Sequence, residues 1–66
     1  MSHELTARLT PDRRTATWNP ALTRSVHVIV AVRLPDGGLE ERRSMNSGRV
    51  RVRDGERIER IRPAVE

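Results

Sequence analysis

The clearest pattern of apolar and polar positions lies between Ser25 and Leu34, where five successive even-numbered positions are aliphatic. Side chains alternate between the two faces of a strand, so these five would form one inward-facing stripe. The stripe consists of Val26, Val28, Val30, Val32 and Leu34. β-branched residues fit a pleated sheet better than a helix, and the pattern therefore predicts a central strand.

The opposite face of this strand has polar ends and an apolar centre. Its residues are His27, Ile29, Ala31 and Arg33. An apolar centre with a polar border is the anatomy of a modest interface. We therefore treat this face as a candidate interface, with cover by a second layer of the same chain as the alternative.

Shorter alternating runs predict further strands on both sides. Residues 4–10 and 15–18 read as a hairpin around a turn that begins at Pro11, with Trp18 as a core anchor. Pro35 to Gly38 is the strongest turn signal, and residues 39–45 would return from it as an edge strand, with a short helix as the alternative. Residues 49–53 alternate strictly. In the last run, residues 56–61, the apolar positions are three apart, which predicts either a bulge or a helical turn.

The fold class predicted is all-β, with about five short antiparallel strands in a meander that forms a small barrel or a curled sheet. Residues 1–66 would form a single small domain, with residues 1–3 and 64–66 frayed. The sequence has one Trp and neither Phe, Tyr nor Cys, so the core is light and no disulfide supports it. A chain of this size is marginally stable alone, and we expect a homo-oligomer.

A basic stripe is the main candidate for function. Between positions 42 and 53 the chain has five Arg and no acidic residue, namely Arg42, Arg43, Arg49, Arg51 and Arg53. The last three would stand about 6.5–7 Å apart on one strand face, a spacing similar to that of successive phosphates along a nucleic-acid strand. The alternative is a solvated face whose Arg pair with nearby glutamates. All thirteen basic residues are Arg, which codon bias would also explain.

Other chemistry has little support in the sequence. Ser25 and His27 share a strand face, but positions two apart lie about 6.5–7 Å from each other, too far for a direct hydrogen bond. We therefore predict no catalytic residue. With no Cys and only two His, the sequence predicts no metal site and no cofactor. It contains no apolar run long enough to span a bilayer, and the expected location is the cytoplasm of a bacterial-type cell.

One stretch is loosely similar to an Sm-like small barrel in its turn chemistry. The similarity involves Val28–Leu34, the Asp36-Gly37 turn, Met45-Asn46 and the run Arg53–Ile58. The distance between the Asp36-Gly37 turn and Met45-Asn46 is shorter than in that pattern. The glycine of the intervening bent strand and the N-terminal helix are also absent, so no family is assigned and no function is carried over.

The function predicted is that of a small non-enzymatic protein that holds a polyanion, in the first place the backbone of a nucleic acid, on its Arg-rich strand face. The first alternative is a protein-interaction module, such as an inhibitor, adaptor or assembly subunit, that acts through the Val-rich central strand. The second is a homo-oligomer whose facing Arg side chains cage a small phosphorylated ligand. A membrane partner is not expected.

Overall fold

A computed structural model describes residues 5–64. Six strands form within this range: β1 (Arg8–Leu9), β2 (Thr15–Thr17), β3 (His27–Arg33), β4 (Leu39–Met45), β5 (Arg49–Arg51) and β6 (Arg57–Pro63). A 3-10 turn covers Pro20–Leu22 between β2 and β3. The all-β prediction is confirmed. Residues 1–3, 65 and 66, which the sequence predicts to be frayed, lie outside the described range, whereas Ala64 is buried and its N–H donates to the His27 carbonyl at 3.0 Å.

The Val-rich stretch is the middle strand of one of two sheets. This sheet, which we call sheet B, has the order β4-β3-β6 and is antiparallel throughout. Val28, Val30 and Val32 point inward and are buried, as the alternation predicts. Val26 is an exception, because it precedes the first residue of β3 and is 55 % exposed. The predicted inward stripe is therefore wrong at its first position.

The second sheet, sheet A, has the order β1-β2-β5. The hairpin predicted for β1 and β2 is confirmed, with Leu9 opposite Ala16. Ala16 in turn lies opposite Val50 of β5, so this row of three apolar side chains faces inward. Sheet A and sheet B thus share one core, which contains Trp18 and the inward valines of β3 together with Val52, Ile58 and Ile61.

The strands do not pair in simple chain order. The meander holds within the β1–β2 and β3–β4 hairpins, but β5 pairs with β2 and β6 pairs with β3. The two sheets are not closed into a barrel. Each sheet therefore has one face in the shared core and an outer face directed away from it, and charged residues lie on both outer faces.

Local chemistry explains the turns and the irregular last strand. Gly37 has φ +90°, and its N–H donates to the Leu34 carbonyl, which closes a three-residue loop at the tip of the β3–β4 hairpin. Residues 39–45 return as a strand, as predicted. The pairing of β3 with β6 shifts between Ala31 and Val32, because Glu59 is an extra residue in β6. This bulge lets both Ile58 and Ile61 point into the core although they are three positions apart.

Trp18 is the core anchor that the sequence predicts, with 8 % of its surface exposed. Its indole N–H donates to the Asn46 side-chain oxygen at 2.7 Å. The amide nitrogen of Asn46 donates to the carbonyls of Pro20 and Ser25 at 3.1 and 3.0 Å. A single side chain therefore satisfies the indole and fixes the loop between β2 and β3 against the end of β4.

Candidate functional site

The outer face of sheet A carries two exposed basic residues of the predicted stripe. Arg49 and Arg51 are exposed on β5, on the side opposite the inward Val50. Their positions two apart on one strand separate them by about 6.5–7 Å, as the alternation predicts. On β2 their neighbours are Thr17 and Thr15, which lie directly across from Arg49 and Arg51.

Sheet pairing adds a third arginine, Arg8, to this face. Arg8 of β1 lies opposite Thr17, which lies opposite Arg49, so the three residues form one row across the sheet. Directly opposite residues of an antiparallel pair point to the same side, and Arg8 is exposed like Arg49. We call the surface of Arg8, Arg49, Arg51 and the two intervening threonines the basic face. Sequence reasoning missed Arg8, because only the pairing order brings it to β5.

No carboxylate of residues 5–64 forms an ion pair with the three arginines of the basic face. The nearest acid along the chain, Asp54, is held by Arg14 with an N–O distance of 2.7 Å. Arg53 is exposed just beyond β5, while its main-chain N–H donates to Glu56 at 3.0 Å. The basic face therefore presents positive charge and hydroxyl groups to solvent without internal neutralisation by the described residues.

Arg42 does not belong to this face. It lies on the inner side of β4 and binds Glu56 through two guanidinium nitrogens, Nη1 at 2.9 Å and Nη2. Its Nε and Nη2 also donate to Glu40 at 3.1 and 2.8 Å. Four of its five guanidinium N–H donors are therefore engaged, and the predicted alternative of a paired arginine holds at this position.

Glu56 is the acidic partner in this cluster, and only 7 % of its surface is exposed. The Arg42 guanidinium and the Arg53 main-chain N–H hold the pKa of Glu56 at about 2, below its usual 4.5. The same contacts, first to Glu56 and then to Glu40, raise the pKa of Arg42. The cluster is fully ionised at neutral pH, and its place beside the turn after β5 indicates a role in holding that turn.

Arg43 lies on the outer face of sheet B, beside β3. Its guanidinium is 3.4 Å from His27 Nδ1, and His27 lies opposite Met45 in the strand pairing. The five arginines of the predicted stripe are therefore divided among three places: Arg42 in the inner cluster, Arg43 on sheet B, and the other three on or beside the basic face. The pairing of β5 with β2 rather than with β4 causes this division.

The candidate interface residues share the outer face of sheet B with Arg43. Across β3, Arg62 reaches Glu41 at 3.5 Å, and these two residues lie opposite Ile29 and Ala31 respectively. Ala31 is buried and Ile29 is half-buried, so the apolar centre is narrower than the sequence predicts. At the other end of β3, Arg33 pairs with Glu59 at 3.2 Å. Carboxylates thus neutralise part of this second outer face.

Within residues 5–64, no group of three or more His, Cys, Asp or Glu side chains is placed to hold a metal ion. The same part of the chain has no helix of the length and apolarity that a membrane crossing requires. A scan against protein-family models found no match, and searches of curated proteins and of solved structures found no significant match.

Proposed function

We propose that this protein is a small binding protein that holds the phosphate backbone of a nucleic acid on its basic face. The observation that carries the proposal is the row of Arg8, Thr17 and Arg49, with Arg51 beside it, in which no described carboxylate neutralises a guanidinium. Guanidinium groups bind phosphate through paired hydrogen bonds, and threonine hydroxyls are common additional donors to phosphate oxygens.

The spacing of the charges supports an extended anion rather than a single phosphate. Arg49 and Arg51 are about 6.5–7 Å apart along β5, and Arg8 lies two strands away from Arg49, at about 9.5–10 Å. Contacts to phosphates do not distinguish one base from another. Binding would therefore depend strongly on salt concentration and only weakly on the nucleotide sequence. Stacking on exposed aromatic residues does not contribute, because the only aromatic residue, Trp18, is in the core.

The outer face of sheet B is a weaker candidate for the same partner. It also carries arginines, but Arg33 and Arg62 are paired with Glu59 and Glu41. Each pair reduces the local charge available to a phosphate. Arg60, which is exposed on this face and has no described ion-pair partner, provides a matched control, since its removal changes the net charge by the same amount as removal of Arg51.

The test is a fluorescence-anisotropy titration with labelled duplex and single-stranded oligonucleotides over a series of salt concentrations. Each phosphate contact contributes about one unit to the slope of log affinity against log salt, so Arg51→Ala should reduce the slope by about one. Arg8→Ala should have a similar effect, whereas Arg60→Ala should leave the slope unchanged. Absence of binding at low salt, or equal slopes for Arg51→Ala and wild type, would refute the proposal.

The alternative of a protein partner gives a different result in the same series. Such a partner would bind the outer face of sheet B, because the inward valines of β3 are in the core and only its other side is accessible. Ile29→Asp would then weaken capture of the partner, while changes on the basic face would not. A clear salt-dependent affinity for oligonucleotides that survives Ile29→Asp favours the basic face.

A further inference from the structure

The strand β4 is an edge strand. Two hydrogen bonds of the residues that flank it show which of its main-chain N–H and C=O groups face β3 and which face the open side. Leu34 donates to the Gly38 carbonyl at 2.8 Å, and Asn46 donates to the Val26 carbonyl at 2.9 Å. The register between β3 and β4 is uninterrupted, so even-numbered residues direct their main-chain groups towards β3. The odd-numbered residues direct theirs towards the opposite side, where the described residues place no strand.

The sequence of this edge is self-complementary. We propose that β4 pairs antiparallel with β4 of a second copy of this chain, about a two-fold axis at Arg42. In this register Glu41 of each copy lies opposite Arg43 of the other, and Leu39 lies opposite Met45. Both pairs involve odd-numbered positions, whose main-chain groups point to the open side, so the main-chain ladder and the side-chain pairs agree.

Neighbouring registers that use the same main-chain groups are unfavourable. An axis at position 41 places Glu41 opposite its own copy, and its 3.5 Å pair with Arg62 neutralises it less than two carboxylates neutralise Arg42; an axis at position 43 places Arg43 opposite its own copy. Like charges directly opposite each other destabilise a strand pair, whereas opposite charges stabilise it. Exposed charges normally protect an edge strand from pairing with other strands. In β4, the order of Glu41 and Arg43 disfavours pairing with most other strands but permits pairing with β4 of a second copy.

The inner side of β4 also tolerates the pairing. The axis brings Arg42 of the two copies together, but each guanidinium is already bound to Glu40 and Glu56. Glu40 would lie opposite Ser44 of the second copy and diagonal to its Arg42, which are both acceptable hydrogen-bonding partners. The carboxylates that bind Arg42 therefore also make a close approach of two arginines possible.

Two apolar side chains at the ends of β4 support a paired edge. Leu39 is 46 % exposed and Met45 is 58 % exposed. In the proposed register each covers the other across the interface, so both ends of the strand pair would have an apolar contact. The pairing would join two three-stranded sheets into one six-stranded sheet and enlarge the small structure that one chain forms.

Charge reversal tests the register through sedimentation equilibrium of the full chain. Glu41→Arg alone and Arg43→Glu alone each convert two attractive pairs into two repulsive ones, and each should weaken the dimer by roughly tenfold or more. An equimolar mixture of these two variants restores opposite charges at both pairs and should form a heterodimer. Arg60→Glu, a reversal of an exposed arginine on β6, should leave the dissociation constant unchanged.

The proposal is overturned if the wild-type chain sediments as a monomer at millimolar concentration. It is also overturned if the single reversals associate as well as wild type, or if their mixture associates no better than either alone. Cysteine pairing gives a second readout that does not depend on these charges. Chains with Leu39→Cys and Met45→Cys, mixed and oxidised, should form the mixed disulfide in preference to either symmetric one, and the opposite preference would overturn the register.

Discussion

The side chain of Arg13 is predicted to contribute about 2 kcal/mol to the stability of the fold, because it connects the two sheets at the bulge. Its Nε donates to the Ile58 carbonyl at 2.9 Å, and its Nη2 donates to the Glu59 carbonyl at 3.0 Å. The main chain makes a third link, from the Ile58 N–H to the Arg13 carbonyl at 2.7 Å. Arg13→Ala removes the two side-chain bonds and keeps the main-chain bond.

The magnitude follows from the character of these bonds. A hydrogen bond from a charged donor contributes about 1.5–3 kcal/mol when it is buried. Arg13 is half-buried, and water can replace part of each lost bond, so we take about 1 kcal/mol for each. A loss of about 2 kcal/mol in a domain of this size corresponds to a decrease of roughly 8–16 °C in Tm.

A glycine at the same position separates the side-chain bonds from backbone strain. Arg13 has φ +58°, in the left-handed region that residues other than glycine seldom adopt. Glycine relieves about 1–2 kcal/mol of strain, but the greater entropy of its unfolded chain lowers the free energy of unfolding by about 0.5–1 kcal/mol. Arg13→Gly should therefore be less stable than wild type and about 0.5–1 kcal/mol more stable than Arg13→Ala.

Urea and thermal denaturation followed by the fluorescence of Trp18, the only tryptophan, measures these differences. All variants should be compared at one protein concentration, because association would shift Tm. Arg57→Ala, which removes an exposed arginine from the same strand as Ile58, is the control and should leave stability unchanged. The reasoning is refuted if Arg13→Ala lies within about 0.5 kcal/mol of wild type, the range of an ordinary surface substitution.

Two further predictions concern the buried Glu56 and the half-buried Asn46. The pKa of Glu56 is lowered from 4.5 to about 2, so its stabilising effect is present above pH 4.5 and is lost as the pH falls towards 2. Tm of the wild type should therefore fall over this range, whereas Glu56→Gln should show a flatter profile, and identical profiles would contradict the assignment. Asn46→Ala leaves the indole N–H of Trp18 without its described acceptor and should cost about 1–3 kcal/mol by urea denaturation, with a changed emission maximum. Asn46→Asp retains the oxygen that accepts from the indole and should preserve more of the emission than Asn46→Ala does.

Part of the candidate site was predictable because it depends on neighbours along one strand. The alternation of Arg49, Val50 and Arg51 indicates two outward arginines on β5, and both arginines are exposed in the structure. The same reasoning could not find Arg8, which is 41 positions before Arg49 in the numbering and joins it only through Thr17. Sequence reasoning also could not exclude Arg42 from the candidate binding residues. Its partner Glu56 lies 14 positions later and comes close to it only in the folded structure.

The sequence by itself determined the fold class, the central strand, the return of residues 39–45 and the position of most turns. These features depend on side-chain alternation and on turn residues such as Gly37, which act over a few positions. Only the tertiary structure decided that β5 pairs with β2, that β6 pairs with β3, and which arginines stay free of described carboxylates. The alternation of residues within a short strand determines which side chains lie on each face. The choice of the neighbouring strand depends on how all the strands together enclose one core.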